Sequence, residues 1–227
     1  MSLRALTPLE ARVLGVLVEK QHTVPDTYPL SLNALTLGCN QKTARAPVME
    51  ATEAEVLTAV DGLKALSLVF EGSGSRVVKY EHNLPRVLGL PGAAVALLAV
   101  LMLRGPQTAA ELRAHSERLH RFADISSIEA FLDELAGKTP PWVVLLPRAP
   151  GAREARWAHL LCGEVIVDAV PLGAYAASAE PMPVAVGEIA ALKAEQARLL
   201  ARLDALAARV EHLERELGVA TPSPQEA

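Results

Sequence analysis

The sequence predicts a mainly α-helical protein of the α+β class, because one pattern of helices and short strands occurs twice. The first copy ends in two apolar strands around a Gly/Ser-rich turn, at residues 68–82. The second copy ends in two strands around a turn that contains Pro and Gly, at residues 142–159. Three helices followed by a β-hairpin is the order of elements in a winged helix. We therefore predict tandem winged-helix domains at residues 1–91 and 92–162.

The composition suits two small helical cores in a soluble protein. Of the 227 residues, 51% are hydrophobic but only 4% are aromatic, so Leu, Val and Ala must fill the interior. Ala and Leu are also strong helix formers. The amino terminus lacks the apolar core of a signal peptide, and the longest apolar run, near residues 92–103, is too short to span a bilayer. We expect a cytoplasmic protein without membrane contact.

The charge is unevenly distributed along the chain. Residues 1–91 carry 9 Lys/Arg and 9 Asp/Glu, and residues 92–160 carry 8 and 7, so both halves are close to neutral. Residues 161–227 carry 5 and 10, a net charge of −5. A domain that grips many phosphates usually has a basic face. This balance weighs against strong nonspecific nucleic-acid binding but leaves room for a local basic patch.

The first copy begins with a well-marked helix. Thr7 can cap it, Pro8 suits its first position, and Glu10 stands where a capping box needs an acid. A proline-containing loop follows, and residues 31–37 form a short second helix that Gly38 ends.

The third helix of the first copy has two possible positions. In a helix-turn-helix, residues 38–40 would form the turn and residues 41–45 would begin the recognition helix, but Pro47 would stop it early. A better helix starts after Thr52, which caps it and forms a capping box with Glu55. We therefore place the third helix at residues 53–66, a stretch with three acidic residues and one lysine.

The second copy repeats this order. Its helices are predicted at residues 93–104, 108–116 and 127–136, and Thr108 and Glu111 are placed to cap the second of them. The third helix is again acidic. The hairpin that follows contains the most basic short segment of the chain.

The carboxy-terminal part of the chain changes character. Residues 163–187 read as a Pro/Ala-rich linker, residues 188–218 as a coiled-coil helix and residues 219–227 as a disordered tail. Leucine fills every d position over four heptads, which predicts a homodimer; a single helix packed against the rest of the chain is the alternative. The predicted dimer seam consists of Ile189, Leu192, Gln196, Leu199, Leu203, Leu206, Val210, Leu213 and Leu217.

Several segments of the two helical copies resemble the YceH-like family of uncharacterised bacterial proteins. The resemblance covers about residues 3–162 and depends on residues 6–14, 19–21, 25–35, 38–43, 45, 47–49 and 72–82. It implies tandem winged-helix domains and a coiled-coil-like tail, and it brings no established catalytic residue. One position departs from the family pattern, because Ala44 stands where Asn is usual.

Three polar or basic groups are candidate contacts with a nucleic acid or a protein. For each, the alternative is an ordinary structural role, either a loop whose side chains bond their own backbone or a solvated strand face. The candidates are Asn40, Gln41, Lys42, Thr43 and Arg45 in one loop, Arg76 and Lys79 in the first hairpin, and Arg148, Arg153 and Arg156 in the second.

No pattern in the sequence indicates catalysis, a metal or a cofactor. Cys39 and Cys162 are far apart, and His115 and His120 do not share a helix face. The Gly/Ser turn at residues 72–75 lacks the Lys-Ser/Thr that completes a phosphate loop. We therefore expect a binding protein, not an enzyme.

Two functions fit these features. The fold and the expected dimer suit a DNA-associated, transcription-related regulator that reads a two-fold symmetric site. The acidic third helices and the near-neutral halves suit a non-catalytic module that docks onto protein partners. Fold alone does not choose between them.

Overall fold

The computed structural model describes residues 3–72, 77–148 and 151–165. Helices predominate in these residues and the strands are short and antiparallel, which confirms the α+β class. The first half contains α1 (Pro8–Thr23), β1 (Leu30–Ser31), α2 (Leu32–Cys39), α3 (Glu53–Ala65), β2 (Val69–Gly72), β3 (Lys79–His82) and α4 (Leu84–Leu88). The second half contains α5 (Gly92–Arg104), α6 (Ala109–Ser116), α7 (Ile125–Ala136), β4 (Val143–Leu145) and β5 (Trp157–His159).

The predicted helix starts depend on capping boxes, and the structure confirms them. The threonine before each of α1, α3 and α6 accepts a hydrogen bond from the backbone of the glutamate three residues later, and that glutamate bonds back. Each cap contributes about 1 kcal/mol. Helix α7 begins two residues earlier than predicted because Asp124 caps it, accepting a hydrogen bond from the Ser127 backbone at 2.8 Å.

The two sheets follow the same plan. In the first half the strand order is β1-β3-β2, so the last strand lies in the middle and pairs with the short strand just before α2. In the second half β5 pairs with β4 and also bridges to Gln107, just before α6. The sequence analysis missed β1 and α4, since two-residue and five-residue elements are too short to show a periodicity.

The core runs through both halves. Residues 10–18 of α1 and residues 93–103 of α5 are buried on every side, and these two helices pack against each other. Their approach is close, because a side-chain carbon added at Gly15 would lie 3.0 Å from Leu103 Cγ. The domain boundary predicted at residue 91 therefore separates two halves that share one hydrophobic cluster.

Several predicted features lie outside the described residues. They are Arg76 with the tip of the first hairpin, most of the linker, the coiled-coil helix with its seam, and the tail. Among the described helices, none combines the length and the apolar character that a membrane span requires.

Candidate functional site

The connection between α2 and α3, residues 40–52, is closed by the side chain of Asn40. Its amide nitrogen donates to the Ala51 carbonyl at 2.8 Å, and its amide oxygen accepts from the Ala51 backbone at 2.8 Å. The amide thus exchanges two hydrogen bonds with one backbone residue, as a paired residue of a β-strand does. These bonds hold the two ends of the connection together. Asn40 was predicted to contact a partner, but its polar atoms are already used inside the protein.

Arg45 is also turned inward, against the prediction that it contacts a partner. Only 1% of the residue is exposed. Its guanidinium donates to both carboxylate oxygens of Glu19, at 3.1 and 2.6 Å, and its Nε donates to the Gly38 carbonyl at 3.1 Å. A second bond from Nη2 reaches Gln41 Oε1 at 2.9 Å. Arg45 therefore anchors the connection to α1 and offers nothing to a phosphate.

The Glu19 carboxylate is charged in this setting. Burial alone would raise its pKa, but the hydrogen bonds and the charge of Arg45, helped by Lys20, outweigh burial and hold the pKa below its ordinary value. Glu19 therefore neutralises Arg45, and it also pairs with the Lys20 ammonium at 3.4 Å.

A cleft of about 290 Å³ opens between this connection and the second half. It lies where the end of α1, the connection, the end of α5 and the region after α6 meet. The polar side chains that line it are Glu19, Lys20, Thr23, Gln41, Thr43, Arg104, His115 and Arg118. Two of the residues predicted from the loop, Gln41 and Thr43, thus come together with cations from the other half.

The cleft is positively charged. Lys20, Arg104 and Arg118 line it together with one acid, Glu19, which pairs with Arg45 at 2.6 Å and with Lys20 at 3.4 Å. Lys42 is exposed next to the lining residues. His115 adds no charge at neutral pH, because burial and the nearby Arg104 lower its pKa. Its Nδ1 is hydrogen-bonded to the Gln107 side chain. Hydroxyl, amide and cationic groups together are suitable ligands for an oxyanion.

The remaining predicted contacts are scattered. Lys79 is half-buried on β3, opposite Ser31 and Gly72. Arg148 and Arg153 are exposed. Arg156 donates two hydrogen bonds of 2.9 Å to Glu111 and one to the Pro106 carbonyl. These bonds occupy its guanidinium, which disagrees with the prediction that Arg156 contacts a partner.

The third helices of both halves present acidic faces. Glu53, Glu55 and Asp61 are exposed on α3, and α7 exposes Glu129, Asp133 and Glu134. A phosphate-lined groove would be repelled by either helix. The basic cleft lies elsewhere, on a surface that neither third helix lines.

Sequence reasoning missed the three cleft cations. Lys20, Arg104 and Arg118 lie on different parts of the chain, and no local pattern joins them. The one available signal was the position of Arg104, directly after an eleven-residue buried apolar run in α5. A cation there must leave the core at the end of the helix, beside whatever packs against it.

In the described part of the chain, neither a reactive Cys39 nor a metal cluster marks a second site. Burial raises the pKa of the Cys39 thiol to about 12, which makes it unreactive. Within residues 3–72, 77–148 and 151–165, no three His, Cys, Asp or Glu side chains come close enough to hold a metal ion.

The fold and the cleft define a class: an α-rich α+β protein of two similar halves with a basic cleft between them. The chain belongs to the family described as "Protein of unknown function, DUF480", whose profile matches residues 6–152. A UPF0502 protein of Leptothrix cholodnii is 69% identical and aligns with 95% of this chain and 97% of its own length. A UPF0502 protein of Burkholderia pseudomallei is 68% identical, with 96% and 92% covered. The predicted membership in an uncharacterised bacterial family is confirmed.

Proposed function

We propose that this protein is a non-catalytic nucleic-acid-binding protein with a regulatory role, built from two winged-helix halves. The observation that carries the proposal is the basic cleft formed by Lys20, Arg104 and Arg118 with Gln41 and Thr43. In this proposal the cleft, and not the third helices, contacts the phosphate backbone.

The order of elements supports the winged-helix assignment. Each half has a helix, a short strand or bridge, two more helices and a hairpin whose last strand lies centrally. In DNA-binding proteins of this type the third helix usually enters the major groove. The acidic α3 and α7 are unsuited to that position, so phosphate contacts from the cleft would hold the protein on the duplex without reading bases through these helices.

The heptad pattern of residues 188–218 supports a dimer as part of this proposal. Two copies would bring two basic clefts to one duplex. Linked sites bind far more tightly than single sites because the second contact becomes intramolecular. A weak cleft could therefore suffice for useful affinity in the dimer.

Fluorescence anisotropy with randomised duplex DNA tests the proposal. The full chain should bind at about 50 mM salt and weaken steeply towards about 200 mM. Replacing Arg118 with Gln should weaken binding and lower the salt slope by about one. Arg121→Gln is the matched control, because Arg121 is exposed three residues further on and pairs with Glu117 at 3.7 Å. Absence of binding at low salt, or equal loss in both variants, would exclude the cleft.

One observation favours the second candidate, docking onto a protein. Leu37 is 66% exposed on α2, and Val48 is 51% exposed on the nearby connection. Leu37 lies on the same helix face as Asn33 and Asn40, which bond Glu53 and Ala51. This exposed apolar surface would therefore border the acidic start of α3, a combination that suits a basic, partly apolar peptide.

A pull-down from lysate at moderate salt tests the docking function separately. Leu37→Gln should abolish capture of a specific partner, whereas Leu145→Gln, at a site 48% exposed in the second half, should not. Capture that survives both substitutions would place the docking surface elsewhere.

A further inference from the structure

A separate cavity, of about 260 Å³, is lined by a later part of the connection than the part that lines the basic cleft. It is open on one side and is bordered by the start of α1, the segment around Pro47, the end of α5 and the chain after β5. Its walls are largely apolar, with Met49, Met102 and Cys162 among them, but Arg12 and His159 also line it. A cavity with apolar walls and a few polar groups has the general character of a small-molecule site.

Arg12 is the unusual member of this cavity. The residue is only 1% exposed, and its guanidinium donates to the Cys39 and Pro47 carbonyls at 3.1 and 2.6 Å. Its Nε has no hydrogen-bond partner. In the described part of the chain, no carboxylate forms an ion pair with Arg12, and the nearby Glu19 is held by Arg45. A buried guanidinium without a counter-charge is costly, so an anion beside it would be stabilised.

His159 supplies a second unsatisfied group. Its ring Nδ1 is buried and has no hydrogen-bond partner. Burial lowers the pKa of this histidine to about 4, so the ring is neutral at pH 7. A neutral imidazole can donate one hydrogen bond, from whichever nitrogen carries the proton.

We propose that this cavity binds a small monocarboxylate with an apolar body. The carboxylate would accept from Arg12 Nε, which is buried and becomes reachable when the side chains over it move aside, and from the ring of His159. The body would pack against Met49 and Met102. Glu164 at the lining opposes any anion, so this charge and the apolar walls disfavour a dianion such as phosphate more strongly than a monocarboxylate. The proposal is independent of nucleic-acid binding, because no residue of the basic cleft takes part.

Thermal unfolding and titration calorimetry of the full chain test it with matched probes. Benzoate and hexanoate are the acids, and benzamide and hexanamide are their neutral counterparts. At ten times its Kd an acid should raise the Tm by about 4 °C, and its amide should raise it far less. Amides that bind as well as both acids, or no binding by either acid, would overturn the proposal.

Two variants localise the site. Arg12→Met should abolish binding of the acids, but it also removes two hydrogen bonds to carbonyls and can unfold the chain. Cys162→Phe fills the cavity from a half-buried position without touching Arg12, and it should abolish binding with the fold retained. In the unaltered protein, bound acid should slow alkylation of Cys162 several-fold. Binding that survives Cys162→Phe with an unchanged alkylation rate would place the ligand elsewhere.

Discussion

Each half of the molecule contains an arginine–glutamate pair that fastens a loop, Arg45 with Glu19 and Arg156 with Glu111, and these two pairs differ mainly in burial. In the first half the side chains of Arg45 and Glu19 are 0% and 17% exposed. In the second half those of Arg156 and Glu111 are 42% and 38% exposed. Both pairs are bidentate, with nitrogen–oxygen distances between 2.6 and 3.1 Å. The same bidentate geometry is therefore found in one buried pair and in one pair at the protein surface.

This difference determines what each pair contributes to stability. Water screens an exposed pair and replaces its bonds when one partner is removed. A buried pair has no such replacement, so removing one partner leaves a charge without compensation. The comparison teaches that a basic residue in a polar loop can be an internal anchor as easily as a contact for a partner.

Arg45→Met should have the largest effect among the substitutions considered. It leaves the Glu19 carboxylate buried without its partner and leaves the Gly38 carbonyl without the Nε donor. We expect a loss of about 3–5 kcal/mol in the free energy of unfolding, measured by urea denaturation. A loss below about 1 kcal/mol would show that water reaches the pair and that the burial contrast between the halves is wrong.

The histidines that end the hairpins extend the comparison to pH. His82 and His159 both pair with the first residue of the preceding strand, and burial lowers the pKa of each to about 4. The unfolded chain binds these protons near pH 6.5, but the folded chain does not. Stability should therefore fall as the pH drops from 6.5 to 4, by about 3 kcal/mol for each histidine.

Urea midpoints across this pH window measure the effect. His82→Gln and His159→Gln should each flatten the dependence by a similar amount, and the exposed His120→Gln is the control. If one variant flattens it and the other does not, the two hairpins are not equivalent.

Arg156→Met should cost about 1 kcal/mol or less, because both partners are well exposed. The same urea denaturation applies, and the ratio to the Arg45→Met loss is the informative quantity. A loss equal to that of Arg45→Met would remove the distinction between the internal and the surface anchor.

The smallest expected change is a gain in stability. Ala44 has a φ of 59°, a left-handed conformation that asparagine tolerates better than alanine. Ala44→Asn should therefore stabilise the first half by about 0.5–1 kcal/mol. Ala54→Asn, in the first turn of α3, should destabilise instead. A loss of stability in Ala44→Asn would mean that the asparagine side chain clashes within the cleft.

The local chemistry of the chain predicted every described α-helix except α4, and both hairpins. Capping boxes and apolar stripes act within a few residues, so they can be recognised without knowledge of the fold. The candidate site was harder, because burial depends on what packs against a residue. Gln41 and Thr43 were predicted to be contact residues and do line the cleft. Arg45 belongs to the same polar loop, but its side chain is buried. Lys20 and Arg118 come together only in the folded chain, and no sequence spacing between them predicts that they line the same cleft.

Helix α5 is buried on every side, and this has a consequence for synthesis. The amino-terminal half leaves the ribosome before residues 92–104 exist to cover α1. Until α5 is synthesised, the apolar face of α1 in the nascent first half therefore stays uncovered. Chaperones bind surfaces of this kind. A ribosome that stalls after α4 would release a fragment prone to aggregation, although every helix and strand of its own half is complete.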